Sequence, residues 1–492
     1  MNFTSVAFVF FFGIVTTLYY VLPPRFRWTL LLAASCYFYM AFVPKYILIL
    51  FGLILIDFVF AQFMERAEGR RRKLFLLVSI VSNVGILFVF KYFNFFNQNV
   101  ADLAQFLHWN YSIESLSLVL PLGLSFHIFQ SLSYVIEVYR GKFPAERHLG
   151  IYALYVLFYP QLVAGPIERP EHLIPQLKKE TAFDVRNVTL GLRLMLWGFF
   201  KKLVIADRLA IIVDFVFAHI GVSPGPSILF AMIFFAFQLY ADFSGYSDIA
   251  RGSAQVLGIT VVNNFKQPYL SLSVSEFWRR WHISLSNWFR DYFYFPLAYS
   301  AQKVTRTWLY VCLFVTFLVT GLWHGAGWTF VVMGGLHGTY LVTGLVTKKL
   351  RERINILIGI NKFPLFHATL QILMTFAMVS FSWVFFRSPN MHTAVSFIAA
   401  LFKGWGMSFH DAFYAYFLMP FQTLGVSKYN VIIALLGIFV LLMVDYLERY
   451  KPERCDFQKY PLYARSFIYV GLILSIVIFG VFTNQQFIYF QF

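Results

Sequence analysis

Apolar runs as long as a lipid bilayer is thick recur from end to end of this chain. They constrain what it can fold into more than any other feature. The stretch WTFVVMGGLHGTYLVTGLV (328–346) is one of them, and a transmembrane helix needs about 20 such residues. Of 492 residues, 59 % are hydrophobic, 21 % aromatic and only 13 % charged. A soluble protein of this length needs far more polar surface. The expected class is an all-α, multi-pass membrane protein.

A formal charge of +17 raises nucleic acid as a partner, but the placement of the charge argues against it. Lysine and arginine cluster in short loops between apolar runs, as in ERAEGRRRK (65–73) and TKKLRER (347–353). That is the pattern of cytoplasmic loops under the positive-inside rule. The three cysteines, Cys36, Cys312 and Cys455, form neither a metal motif nor a disulfide framework. No Lys or Arg precedes the first apolar segment, so it reads as a first span with its N-terminus outside, not as a signal peptide.

Loop charge and apolar length together predict a map. Spans fall at about 6–22, 28–42, 45–64, 74–91 and 117–138, with an outside loop over 94–115. The stretch 151–164 is too short to cross and reads as re-entrant or interfacial. Region 187–243 holds one outward and one inward crossing, the first interrupted by Lys201, Lys202, Asp207 and Arg208. Residues 260–305 lie at the cytoplasmic face. Spans at about 307–323, 328–346, 367–386, 429–447 and 467–486 complete roughly 11–12 crossings with both termini outside. No internal repeat or long linker is evident, so residues 1–492 read as one membrane domain.

Within this frame, SLSVSEFWRRWHISLSNWFRDYFYFP (271–296) is amphipathic. Ser273 and Glu276 make a capping box that starts a helix near Val274, and Pro296 is expected to end it. Helical spacing puts His282 on the aromatic face, with Arg279, Ser286 and Arg290 towards the polar side. An interfacial anchor explains the tryptophans and arginines; it leaves structural and functional roles open for a buried histidine. In GLWHGAGWTFVVMGGLHG (321–338), small residues four apart flank both His324 and His337. Small-xxx-small spacing brings helix backbones close, whereas an ionisable residue at membrane depth signals function. The two histidines would lie about 140° apart on a continuous helix, so they are no metal pair. His324 sits at a break between spans and is the better site. YADFSGYSDIARG (240–252) and GPIERPEHLIPQL (165–177) are weaker polar interruptions, and Asp248 and Arg251 are spaced to pair.

Histidine general-base catalysis is the most economical chemistry for this set. A neutral imidazole in an apolar cavity can take a hydroxyl proton at neutral pH, and acyl transfer from a thioester to an alcohol needs that step in a dry site. A histidine proton relay in a transporter is the competing class.

These four segments together resemble the membrane-bound O-acyltransferase superfamily, and most closely its bacterial alginate O-acetyltransferase-like branch. The resemblance runs from the first span through SFSWVFFRSPNMHTAVSFIAALF (380–402). It implies a ring of helices around a central tunnel, with a catalytic region of about 160–345. The family's Trp-His-Gly histidine falls on His324 and its second active-site histidine on His282. Arg279 and Arg280 are then candidates for the donor's phosphates, and Asp242, Ser244, Tyr246 and Trp323 for lining the site. His337 is expected to be structural. The resemblance further implies acetyl-CoA as donor with no permanently bound cofactor or metal, and a bacterial inner-membrane location with periplasmic termini. Expected partners are a periplasmic SGNH-type acetyltransferase and a polysaccharide acceptor such as alginate. D-alanyl transfer to teichoic acid from a carrier-protein thioester is the alternative.

Overall fold

The structure is a computed structural model and describes residues 1–121, 123–162, 165–406, 410–411, 429–455, 459–482 and 487–488. The described residues are helical, without a strand among them. They form two compact units: Met1–Met195 with Tyr246–Asn263, and Leu196–Gly245 with Asn264–Phe492.

The first unit opens with α1 (Val6–Val21), α2 (Pro24–Met40), α3 (Ile47–Arg66) and α4 (Gly69–Leu87). A π-helical turn at Phe88–Tyr92 joins α4 to α5 (Phe93–Phe106). The outside loop expected over 94–115 is therefore helical through Phe106. Absence of Lys and Arg, on which that loop expectation rests, does not bar a helix, and the segment's asparagines hold the returning chain. Asn94 Nδ2 donates to Leu116 O at 2.8 Å, and Asn97 Nδ2 donates to Ile113 O at 3.1 Å. Next come α6 (Leu124–Tyr139) and the nine-residue α7 (Leu149–Leu157). From Ile151 onward α7 is buried in its own unit, where neighbouring protein can satisfy irregular backbone. The last two residues of the 151–164 stretch lie outside the described residues. The unit continues through α8 (Pro170–Lys178) into α9 (Val185–Phe199).

A second π-helical turn, Phe200–Ala206, carries the chain into α10 (Asp207–Ala218), and α11 runs over Gly225–Val256. The interrupted crossing expected near residue 201 is thus one continuous helical path, whose π turn buries Lys201 and Lys202. Short helices follow: α12 (Val274–Arg280), α13 (Ile283–Phe289) and α14 (Phe295–Ala298). The long ones are α15 (Arg306–His324), α16 (Trp328–Val346) and, after α17 (Lys348–Leu357), α18 (Pro364–Arg387). The described chain ends with α19 (Met391–Leu401), α20 (Tyr429–Tyr450) and α21 (Leu462–Phe479). Among the described residues, eight helices are long and apolar enough to cross a membrane, and Val6–Val21 and Met391–Leu401 are shorter apolar helices. The protein is an all-α, multi-pass membrane protein.

Glycines set the closest approach in the second unit. A Cβ on Gly321 of α15 would lie 2.3 Å from Phe330 O, and one on Gly334 of α16 would lie 2.3 Å from Phe317 O. The two helices touch backbone to backbone, as small-xxx-small spacing permits. Gly334→Ala should therefore lower the thermal midpoint in detergent, since overpacking costs ~1–3 kcal/mol. Gly335→Ala, whose Cβ would meet only Leu318 Cδ2 at 3.5 Å, should leave the midpoint unchanged in the same fluorescence melt.

Candidate active site

The segment 271–296 starts as its sequence requires. Ser273 Oγ accepts from Glu276 N at 3.2 Å, and Glu276 Oε2 accepts from Leu272 N at 2.8 Å. It does not continue as one helix. α12 stops at Arg280, Trp281 is extended, and His282 is left-handed with φ 44° and ψ 54° before α13 begins. That conformation costs an L-residue about 1–2 kcal/mol, so neighbouring structure must hold it. Residue 264 does: Ile283 N donates to Asn264 O at 3.0 Å, and Ser284 N donates to Asn264 Oδ1 at 3.1 Å. Lys266 N donates to Arg280 O at 2.9 Å on the other side of the break. Pro296, expected as the terminator, sits in the first turn of α14, where its missing N–H is no loss.

The break turns His282 inward. It is 0 % exposed, with its ring edge-on to Phe243 at 4.6 Å. Trp281 beside it is enclosed by Phe265, Phe277 and Trp383. Burial holds the His282 imidazole at about 3, against 6.5 for the free side chain, so it is neutral throughout the physiological range.

His324 is the last residue of α15, and extended Gly325 follows it. Phe330 fills the space beside that glycine: an added Cβ would come 2.1 Å from its ring. The His324 ring lies 4.9 Å from Trp323 and 5.7 Å from Phe386. Trp323 is also 6.4 Å from His282. One tryptophan thus touches both histidines, forty-two residues apart in sequence. His337 does something different. Its Nδ1 accepts from Trp278 Nε1 at 3.2 Å, which fixes the indole and leaves the proton on Nε2.

A cavity of about 510 Å³ adjoins this arrangement. Ile283, next to His282, and Thr320, one turn before His324, both line it, as does the Trp278 indole that His337 holds. Its other walls are apolar residues of α13, α15 and α16 together with polar groups that include Arg279, Ser286, Asn287 and Arg290.

The remaining sequence-predicted residues are not all here. Arg280 is committed elsewhere, to Glu276 Oε1 at 2.9 Å and Lys266 O at 3.0 Å. Arg290, which lay on the predicted polar face, lines the cavity with Arg279 while its Nε donates to neighbouring Asp291 at 2.8 Å. Asp242 and Ser244 face the π turn. Lys202 Nζ is 2.7 Å from both Asp242 and Asp207, and Asp242 Oδ2 also accepts from Ile488 N at 2.9 Å. Ser244 Oγ accepts from Lys201 Nζ at 3.0 Å. Tyr246 belongs to the first unit, packed on Phe3 at 4.6 Å. The expected Asp248–Arg251 pair is present at 3.4 Å. In the weaker 165–177 segment, buried Glu168 accepts from Val262 N at 2.6 Å and lies 2.6 Å from His172 Nδ1, a hydrogen bond that raises the His172 pKa.

His282 and His324 are both buried and neither lines the cavity itself; Ile283 and Thr320, close to them in the chain, do. Residues 148–386 match the model of the MBOAT, membrane-bound O-acyltransferase, family. The chain is 37 % identical to a probable alginate O-acetylase of Pseudomonas putida, over 82 % of this chain and 80 % of that one. It is 33 % identical to a peptidoglycan O-acetyltransferase of Helicobacter pylori, over 78 % and 75 %. A teichoic acid D-alanyltransferase of Streptococcus thermophilus is 30 % identical over 49 % of this chain and 60 % of its own. The protein belongs to the membrane-bound O-acyltransferase family and is an O-acyltransferase.

Two measurements separate the roles of these groups. Lys202→Met should strand two buried carboxylates, costing ~3–5 kcal/mol, and Asp242→Asn added to it should recover part of the thermal midpoint. If the Lys202–Asp242 pair did not bear on the fold, the second substitution would recover nothing. His282 has its pKa lowered on folding, so the unfolded chain takes up a proton that the folded one refuses. Its contribution to stability is full above pH 6.5 and falls away as pH drops towards 3. His282→Gln should flatten the loss of thermal midpoint between pH 6.5 and 4.5.

Proposed function

We propose that this protein is a membrane O-acetyltransferase that takes an acetyl group from a cytoplasmic thioester, acetyl-CoA, and passes it across the bacterial inner membrane. The acceptor hydroxyl belongs to an extracellular polysaccharide such as alginate or to a periplasmic SGNH-type partner that modifies it. Both termini then face the periplasm. The observation that carries the reading is Trp323 packed against His282 and His324, with residues adjacent to each histidine lining one cavity.

In this reading His324 takes the proton of the acceptor hydroxyl as its oxygen attacks the thioester carbonyl carbon. The C–O bond forms, the C–S bond breaks, and the same proton passes from the His324 imidazolium to the departing thiolate. Neutral His282 donates a hydrogen bond to the carbonyl oxygen as negative charge develops on it. The aromatic surround of Trp323, Phe386 and Phe243 limits water and so limits hydrolysis of the thioester. Arg279 and Arg290 hold the phosphates of the donor, as guanidinium forks do well, while the apolar lining takes its uncharged arm. The relatives with acetyl-transferring names match more of this chain than the D-alanyl one does, which supports acetyl over D-alanyl.

Purified protein in lipid, given labelled acetyl-CoA and an acceptor, tests the reading. His324→Ala should cut turnover by about 100- to 10,000-fold, the usual weight of a general base, in protein that still melts cooperatively, and the better-filling His324→Gln should lose activity as well. His282→Asn tolerates the left-handed backbone and should still lose activity. Arg279→Gln with Arg290→Gln should raise KM for acetyl-CoA and leave KM for a phosphate-free acetyl thioester unchanged. Normal turnover in His324→Ala would remove the base assignment.

A further inference from the structure

The first unit contains a second cavity, of about 390 Å³, that the acyl-transfer chemistry does not use. It opens where the first apolar helix ends. The chain leaves α1 through Leu22, Pro23 and Pro24, and Arg25 and Arg27 follow at once. Lys178 and Lys179, at the end of α8, face them across the groove. Tyr19, Leu31, Ile151 and Ile259 form the apolar part of its lining.

The four cations are not equivalent. Arg27 is spent on structure: its guanidinium stacks over the Tyr19 ring at 4.9 Å and donates to the carbonyl oxygens of Leu22 and Thr181. Lys178 is paired with Glu146 at 2.6 Å. Those contacts fix the groove's walls. Trp28 is fixed as well, edge-on to His148 at 4.6 Å and so close to Gly150 that a Cβ there would lie 2.2 Å from its ring. Arg25 and Lys179 are exposed; Arg25 lies over the ring of its exposed neighbour Phe26 at 4.8 Å, and neither side chain has a carboxylate or hydrogen-bond partner among the described residues. Glu146 and exposed Glu180 line the groove too, but Glu146 is held by Lys178, so the four cations outnumber the two carboxylates of a preformed, partly apolar groove.

Depth decides what can reach it. Basic residues directly beyond an apolar helix lie at the level of lipid headgroups. The outward face of α1 below them is apolar and exposed, with Ile14 at 60 % and Val21 at 75 %. A ligand with a phosphate ester at one end and a hydrocarbon chain at the other matches both surfaces. We propose that this groove binds the phosphodiester headgroup of an anionic phospholipid, with Arg25 and Lys179 contacting the phosphate and an acyl chain lying along α1.

The full-length protein, purified in a mild detergent, tests this by native mass spectrometry and thermal melting. The probes are phosphatidylglycerol, phosphatidylcholine and the soluble phosphate ester adenosine 3′,5′-bisphosphate. Phosphatidylglycerol should stay bound and raise the midpoint, while phosphatidylcholine does neither. The double variant Arg25→Gln/Lys179→Gln should bind phosphatidylglycerol about 30-fold more weakly, each cation near the surface contributing about fivefold. Its midpoint without lipid should match the parent, because neither side chain supports the fold. Lys348→Gln/Arg353→Gln, on exposed α17, should bind phosphatidylglycerol like the parent. If the bisphosphate protects as well as the lipid and loses that effect in the double variant, the phosphate site stands and its occupant is a soluble ester. Equal binding of the two phospholipids, or unchanged binding in the double variant, overturns the proposal.

Discussion

Two hydrogen bonds accepted by residue 264 hold the interruption on which the candidate site depends. Asn264 accepts from Ile283 through its backbone carbonyl and from Ser284 through its side chain. Without them, residues 274–289 would tend to a single amphipathic helix, because their spacing favours one. His282 would then project from a helix face at whatever angle the register dictated. The break makes His282 the residue that turns the chain, and buries its ring against Phe243 next to Trp323. Backbone strain at a reactive residue is expected where surrounding structure over-determines the conformation.

The same logic accounts for the buried charges of the second unit. Lys202 between Asp207 and Asp242, and Lys201 on Ser244, join the π turn of one helix to α11. The Gly245 backbone lets these elements approach, since a Cβ there would lie 2.8 Å from Gly198 O. Charged groups at such depth are tolerated when they are paired and hydrogen-bonded. They also tie down the described end of the chain, through Ile488 N on Asp242 and Val481 N on Leu203 O. Polar residues that resemble site residues in sequence thus serve as the frame. His282 and His324 stand in aromatic surroundings instead.

Much of this was legible from residue order. Lengths of apolar runs located α15, α16, α18 and α20 to within a few residues, because membrane thickness imposes a minimum on helix length. The Ser273–Glu276 spacing located the start of α12, because capping is local chemistry. The glycines around His324 announced a close helix contact. Arg280 shows the limit: it differs from Arg279 by one position, yet one is bound to Glu276 and the other lines the cavity. Nothing along the sequence tied Asn94 and Asn97 to their carbonyl partners at Leu116 and Ile113.

Resemblance to the family's motifs marked His282 and His324 as the residues to watch, while sequence alone determined the class of the protein and the extent of most of its long helices. These follow from interactions within a few residues or from the bilayer's thickness, and both leave a periodic trace along the chain. Tertiary structure decided which polar groups face the cavity and which are consumed by one another. It also decided that His282 sits at a break, and that Trp323 joins it to His324. Those outcomes depend on partners such as Asn264, Lys202 and Glu276, whose positions are set by how helices pack. No spacing rule along the sequence encodes that packing.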